Sequence, residues 1–197
     1  MNLPNKLTVS RLFLTGAFVA ALSIDIPYGN TAALFLFIIA AVTDFLDGHL
    51  ARKHNLITDF GKLMDPLADK VLMTSGFVML CSLESTRSIF PAWVVITILT
   101  REFMVTGLRL VASSEGKVLA AEKLGKHKTV WQIITVIYFL VYLASEDPAM
   151  QWLDHLFELK ILSPSIAGTA LIAITLILTV WSGLGYLWKN RSLLQDM

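Results

Sequence analysis

The sequence is poor in charge and nearly without cysteine. Asp, Glu, Lys and Arg make up only 16% of its 197 residues, whereas 55% are hydrophobic. Soluble domains of this length carry about 25% charged residues, so an ordinary soluble fold is excluded. The lone Cys81 excludes an internal disulfide, and in its apolar run a thiol packs as a small hydrophobe. A net charge of +1 gives no basic footprint for nucleic acid. No repeat and no second domain is visible, and a single domain is expected over residues 1–197. The first apolar run could pass for a cleavable signal, but the later runs make targeting by the mature helices sufficient.

Long apolar runs are what the sequence has instead. Several reach the roughly 20 residues that a spanning helix needs. They predict an all-α polytopic integral membrane protein with six transmembrane helices and a short N-terminal surface segment. The polar opening 2–11 leads into a first span ending at Ser23, after which 24–30 form a turn. Further spans are expected over about 31–51, 62–82, 89–110, 129–144 and 164–188. Residues 145–163 are acidic and amphipathic, with Trp152, Leu153, Leu156 and Phe157 placed on one face at the bilayer surface. Gly16, Gly76, Gly107, Gly183 and Gly185 would let helices approach closely.

The stretch TDFLDGHLARKHNLITDFGKLMDPLADK, residues 43–70, runs against this apolar background. Asp44 and Asp47 are three apart and Asp65 and Asp69 four apart, so each pair shares a helix face. A carboxylate at the centre of a membrane helix costs about 2.5–3.5 kcal/mol on the insertion scale, less near an interface. Four would cost on the order of 10 kcal/mol. Divalent cations are the natural offset: two would neutralise four carboxylates, and oxygen-only sites suit Mg2+, Mn2+ or Ca2+. Gly48 and Ala51 leave room beside the first pair for a flat ligand, and Arg52 brings a fork suited to phosphate. In the connector, Thr58 can reach a phosphate or cap a helix. Pro66 either kinks the third helix or marks its start.

Written as a pattern, the stretch is Asp-x2-Asp-Gly-x2-Ala-Arg-x8-Gly-x3-Asp-x3-Asp, eight fixed positions across 26 residues. It resembles the signature of the CDP-alcohol phosphotransferases without departure in residue or spacing. The resemblance implies a CDP-linked lipid, CDP-diacylglycerol, lying with its acyl chains in the bilayer and its cytidine end against Gly48, Ala51 and Arg52. An alcohol would attack the lipid-side phosphorus and CMP would leave. Asp44, Asp47 and Asp65 would hold two divalent ions, Mg2+ or Mn2+. Asp69 would act as general base for the alcohol and would also touch a metal. Asn5 and Thr8 would lie near the nucleotide, or else serve as N-cap and surface anchor.

The second half bears on the acceptor. REFMVTGLR (101–109), LGKHKTVWQ (124–132) and the opening NLPNKLTVSR are similar to stretches of bacterial phosphatidylglycerophosphate synthases within that family. Arg101, Arg109, Lys126 and Lys128 form a cationic set suited to an acceptor carrying phosphate, which points to glycerol 3-phosphate. The same charges could merely set topology, and Arg101 could pair with Glu102 inside the membrane. With six spans, the segments 1–11, 52–62, 109–128 and 189–197 hold twelve of the sixteen Lys and Arg. The positive-inside rule then places the aspartates at the cytoplasmic face of a multi-pass protein of the cell (inner) membrane. A homodimer is compatible with this reading. The rivals are the same chemistry with inositol phosphate or phosphatidylglycerol as acceptor, and, from another class, a cation transporter. The transporter leaves Gly48, Ala51 and Arg52 unexplained and has no carboxylate relay across the bilayer.

Overall fold

Proline and polar clusters divide the apolar runs into helices. In the computed structural model, which describes residues 3–53, 59–114, 116, 119 and 123–191, all regular structure is helical. The side chains of 3, 4, 45–53, 59, 62, 63, 114, 123, 124 and 126 lie outside the described part. The long helices are α1 (Leu3–Ser23), α2 (Gly29–Lys53), α3 (Asp59–Ser82), α4 (Ala92–Ser114) and α5 (Lys123–Ser145). A 3-10 turn (Gln151–Leu153), the short α6 (Asp154–Glu158) and a π-helical turn (Pro164–Gly168) then lead into α7 (Thr169–Lys189). Pro91 directly precedes α4 and Pro164 opens the π-helical turn, where a missing N–H costs nothing. Pro66 lies inside α3, which begins at Asp59, so the proline does not mark the start of that helix.

Among the described residues, three segments are long and apolar enough to cross a membrane: Asn5–Ser23, His127–Ser145 and Pro164–Lys189. The described side chains of α2 end at Asp44, and Gly29–Asp44 is apolar throughout most of its length. Charge is the physical reason that α3 and α4 fall short by composition: each carries several acidic or basic residues within an otherwise apolar helix. The outer surface of the bundle is apolar, with Phe13, Ile96, Phe103, Leu110, Ile177, Trp181 and Trp188 exposed. Its interior holds Thr8, Arg11, Lys128, Gln132, Thr135 and Thr175. An apolar outer face, with polar side chains gathered inside among buried phenylalanines and leucines, is the arrangement of a membrane protein.

The expected surface segment at the N-terminus is instead the beginning of α1, which is unbroken from Leu3. Asn5, Thr8 and Arg11 recur at helical spacing and are all buried, which draws these turns into the bundle. There α1 packs on α2 and α3, α5 on α2 and α7, and α4 on α7. Phenylalanine rings link the layers: Phe18 to Phe37 at 5.6 Å, Phe77 to Phe90 at 5.9 Å, and Phe90 edge-on to Phe139 at 5.7 Å. The hydroxyls of Thr135 and Thr175 meet at 2.8 Å between α5 and α7.

Only two of the five glycines expected at helix crossings act there. A Cβ on Gly76 would lie 3.1 Å from Val136, and one on Gly183 would lie 2.8 Å from Cγ of Arg101. Gly16, Gly107 and Gly185 face open space. Gly168, not foreseen, is the tightest contact with α5, since its Cβ would sit 2.8 Å from Phe139.

The segment after α5 also differs from its single amphipathic face. Leu153 is buried and Phe157 packs against Tyr138 and Tyr142 at 5.8 and 5.3 Å. Trp152 and Leu156, one turn apart, are exposed, so the four residues divide into an inward pair and an outward pair. In the same connection, buried Asp147 accepts hydrogen bonds from Nδ2 of Asn30 (3.1 Å) and from N and Oγ1 of Thr31 (2.7 and 2.8 Å). It satisfies first-turn donors of α2 from 116 residues away.

Candidate active site

The site begins with α1. Thr8 and Arg11, one turn apart, present two donors on one helix face. Oγ1 of Thr8 donates to Asp65 on α3 at 2.6 Å. The fully buried guanidinium of Arg11 meets Asp44 on α2 at 2.5 Å. One turn of α1 therefore ties together the two halves of the aspartate pattern. Asp69, one turn beyond Asp65, lies in the electrostatic field of Asp44, Arg11, Lys70 and Glu102. Asp44, Asp65 and Asp69 thus gather where α1, α2 and α3 meet, with Arg11 as the buried counter-charge. Asn5 and Thr8 are both buried, which removes the reading of either as a lipid-surface anchor.

A second polar cluster forms between α4 and α5. Nζ of Lys128 donates to Oε1 of Glu102, and Nη1 of Arg101 approaches the same oxygen at 3.4 Å. The Lys128 side chain is 3% exposed and that of Arg101 12%, so the carboxylate of Glu102 serves two nearly buried cations. Arg109 does not join them. Two turns further along α4, its Nε donates to the Tyr186 hydroxyl at 3.1 Å and its guanidinium lies over that ring. Arg109 anchors α4 to α7, and the expected cationic set loses it for this reason.

One cavity joins the two clusters. Asp69, Lys70 and Thr74 of α3, Glu102 of α4, and Lys128 and Gln132 of α5 line it. Its space is about 430 Å³, open mouth included. The lining thus includes both a carboxylate, Asp69, and an ammonium group, Lys128, with Phe77, Ile98 and Leu99 among the apolar walls. An anionic group could settle at the Lys128 side while a hydroxyl of the same molecule faces Asp69. The sequence alone did not single out Arg11, which braces Asp44, or Lys70 and Gln132, which line the cavity. For Arg11 a signal existed: one arginine, three residues after Thr8, at the border of an apolar run.

The remaining expected residues lie outside what the structure describes. These are Thr58 as a whole and the side chains of Asp47, Gly48, Ala51, Arg52 and Lys126. Among the described residues, no group of three His, Cys, Asp or Glu converges closely enough to hold a metal ion. Asp44 and Asp65 are each engaged with α1.

The sequence model of the family described as CDP-alcohol phosphatidyltransferase matches residues 1–181. The chain belongs to this family. Among its relatives in the family is a Bacillus subtilis (strain 168) protein named CDP-diacylglycerol–glycerol-3-phosphate 3-phosphatidyltransferase. It is 40% identical, over 96% of this chain and 95% of the relative. A protein of the same name from Escherichia coli (strain K12) is 32% identical over 99% and 98% of the two chains. One from Arabidopsis thaliana, named as the second such enzyme, is 33% identical over 96% of this chain and 79% of its own.

For a CDP-alcohol phosphatidyltransferase, the question is whether the donors present fit a divalent metal. They do in chemistry. Asp44, Asp65 and Asp69 offer oxygen alone, the donor type of Mg2+ and Mn2+. Their mutual field is offset among the described residues by Arg11 and Lys70, and Arg11 is already engaged with Asp44.

Proposed function

We propose that this protein transfers the phosphatidyl group of CDP-diacylglycerol to glycerol 3-phosphate, giving phosphatidylglycerophosphate and CMP. The observation that supports this reading is the cavity lined by both Asp69 and Lys128, which offers a proton acceptor and a cation for the acceptor's phosphate. The names of the full-length relatives support the same pair of substrates.

In this mechanism Lys128, with Arg101, draws the phosphate of glycerol 3-phosphate into the cavity, and Glu102 keeps the two cations in place until it arrives. The free primary hydroxyl then faces Asp69, whose carboxylate takes its proton. The alkoxide oxygen attacks the phosphatidyl phosphorus, a new P–O bond forms, and the bond to the CMP oxygen breaks. Gly48, Ala51 and Arg52 flank the cytidine diphosphate, with Asn5, Thr8 and Thr58 as further contacts on that side. Asp44, Asp47, Asp65 and Asp69 would hold two divalent ions, Mg2+ or Mn2+. When bound, such ions offset phosphate charge and help a weakly basic carboxylate by polarising the hydroxyl. Arg11 and Thr8 hold the carboxylates of Asp44 and Asp65 in position.

The reading includes six spans, α1 to α5 and α7, in the cell membrane. The basic connectors would face the cytoplasm, where glycerol 3-phosphate and metal are available. The test is CMP release from CDP-diacylglycerol by the purified protein, run with glycerol 3-phosphate, glycerol, inositol phosphate and phosphatidylglycerol. Glycerol 3-phosphate should be the preferred acceptor, and release should stop on chelation. Equal use of glycerol would overturn the acceptor assignment. Absence of CMP release with every acceptor would overturn the enzyme.

A further inference from the structure

Gln132 is a wall residue of the Asp69–Lys128 cavity for which no part of the reaction has yet been assigned. It is 3% exposed, and among the described residues its Nε2 has no hydrogen-bond partner. Buried polar side chains are overwhelmingly paired, so an unpaired amide at a cavity wall calls for a ligand. Neighbouring side chains are already committed. The Thr129 hydroxyl donates to the carbonyl of Gly125, that of Thr135 to the carbonyl of Trp131, and Lys128 to Glu102.

Position along α5 indicates which part of a ligand the amide would meet. Gln132 is one turn from Lys128 on the same face, about 6 Å deeper along the helix. In glycerol 3-phosphate the secondary hydroxyl lies between the phosphate and the attacking primary hydroxyl. With the phosphate at Lys128 and the primary hydroxyl at Asp69, the secondary hydroxyl falls against the wall that Gln132 supplies. We infer that the Gln132 amide donates a hydrogen bond to the secondary hydroxyl of the acceptor, and so selects a vicinal diol phosphate over a simple hydroxyalkyl phosphate. The inference rests on the proposed use of glycerol 3-phosphate and adds the residue that reads its second carbon.

A site built to bond a hydroxyl discriminates against the analogue that lacks it, since its own polar group is then left unpaired. The experiment compares kcat/KM for glycerol 3-phosphate and for 3-hydroxypropyl phosphate, in the wild-type protein and in Gln132→Met and Gln132→Leu. The wild type should favour glycerol 3-phosphate by about tenfold or more. In both variants the ratio should fall to within about twofold of unity. The KM for CDP-diacylglycerol should stay as in the wild type, and so should the melting temperature, because an apolar side chain removes a buried unpaired donor. Variants that keep the wild-type ratio would overturn the role of Gln132 and leave the enzyme's assignment standing. Loss of fold in both variants would also overturn it, by making the amide a structural partner. A wild type that uses neither phosphate would bring down the acceptor assignment and this inference together.

Discussion

Replacing Glu102 by glutamine keeps its shape but removes the anion that lies between Lys128 and Arg101. The Lys128 side chain is 3% exposed and that of Glu102 22%, so solvent screens the pair little. Removing one partner of such a pair costs about 3–5 kcal/mol, because the other is left as an uncompensated buried charge. Here two cations remain, and the upper part of that range applies. For a chain of this size each kcal/mol corresponds to about 2–4 °C, so the melting temperature of Glu102→Gln should fall by roughly 10–20 °C. Lys128→Met should cost less, since Glu102 keeps Arg101 as a partner at 3.4 Å. Combining the two removes the stranded ammonium, and the cycle should show a coupling of about 2 kcal/mol. Thermal unfolding in detergent, followed by tryptophan fluorescence, measures all four proteins. Additivity to within about 0.5 kcal/mol would refute the buried triad.

Asp147→Ala leaves the Asn30 and Thr31 donors of α2 unpaired and should destabilise the protein by about 2–3 kcal/mol. Turnover per folded molecule should be unchanged, as the site lies at the other end of α2. Asp65→Asn should abolish transfer while leaving the fold intact, because an amide oxygen can still accept from Thr8. Near-normal turnover in that variant would contradict the metal role proposed for Asp65. For topology, cysteines placed at Asn55 or Lys117 should react with impermeant reagents from the cytoplasmic side only. One placed at exposed Ala149 should react from outside only, and reversed labelling would place the aspartates in the wrong compartment.

Helix existence was legible in the sequence because an apolar run of spanning length admits few alternatives. The bounds found for α2, α3 and α5 reach only a few residues past those expected. The aspartate pattern was legible for a different reason: charges so costly in an apolar helix advertise themselves. What the sequence hid were partners distant along the chain. Thr8 meets Asp65 across 57 residues and Asp147 caps α2 across 116, and no periodicity reports such pairings. Arg101 and Arg109 look alike on α4, yet one turns to Glu102 and the other to Tyr186. The pairing of Arg101 with its neighbour Glu102 was foreseen from adjacency, whereas Arg109 meets Tyr186 across 77 residues because α7 lies alongside, information that a local spacing does not contain. Gly183 shows the same limit, since its role depends on Arg101 crossing from α4.

The central claim is that the cavity joining Asp69 to Lys128 receives the acceptor by its phosphate. The most direct measurement is the KM for each substrate in the Glu102→Gln/Lys128→Met double variant, which lacks both the ammonium and the carboxylate it pairs with. A charge-assisted hydrogen bond contributes about 1.5–3 kcal/mol, so the KM for glycerol 3-phosphate should rise roughly ten- to 150-fold. The KM for CDP-diacylglycerol should stay within about twofold of the wild type, since its proposed contacts lie on α1 to α3. An unchanged KM for glycerol 3-phosphate in the folded double variant would contradict the account.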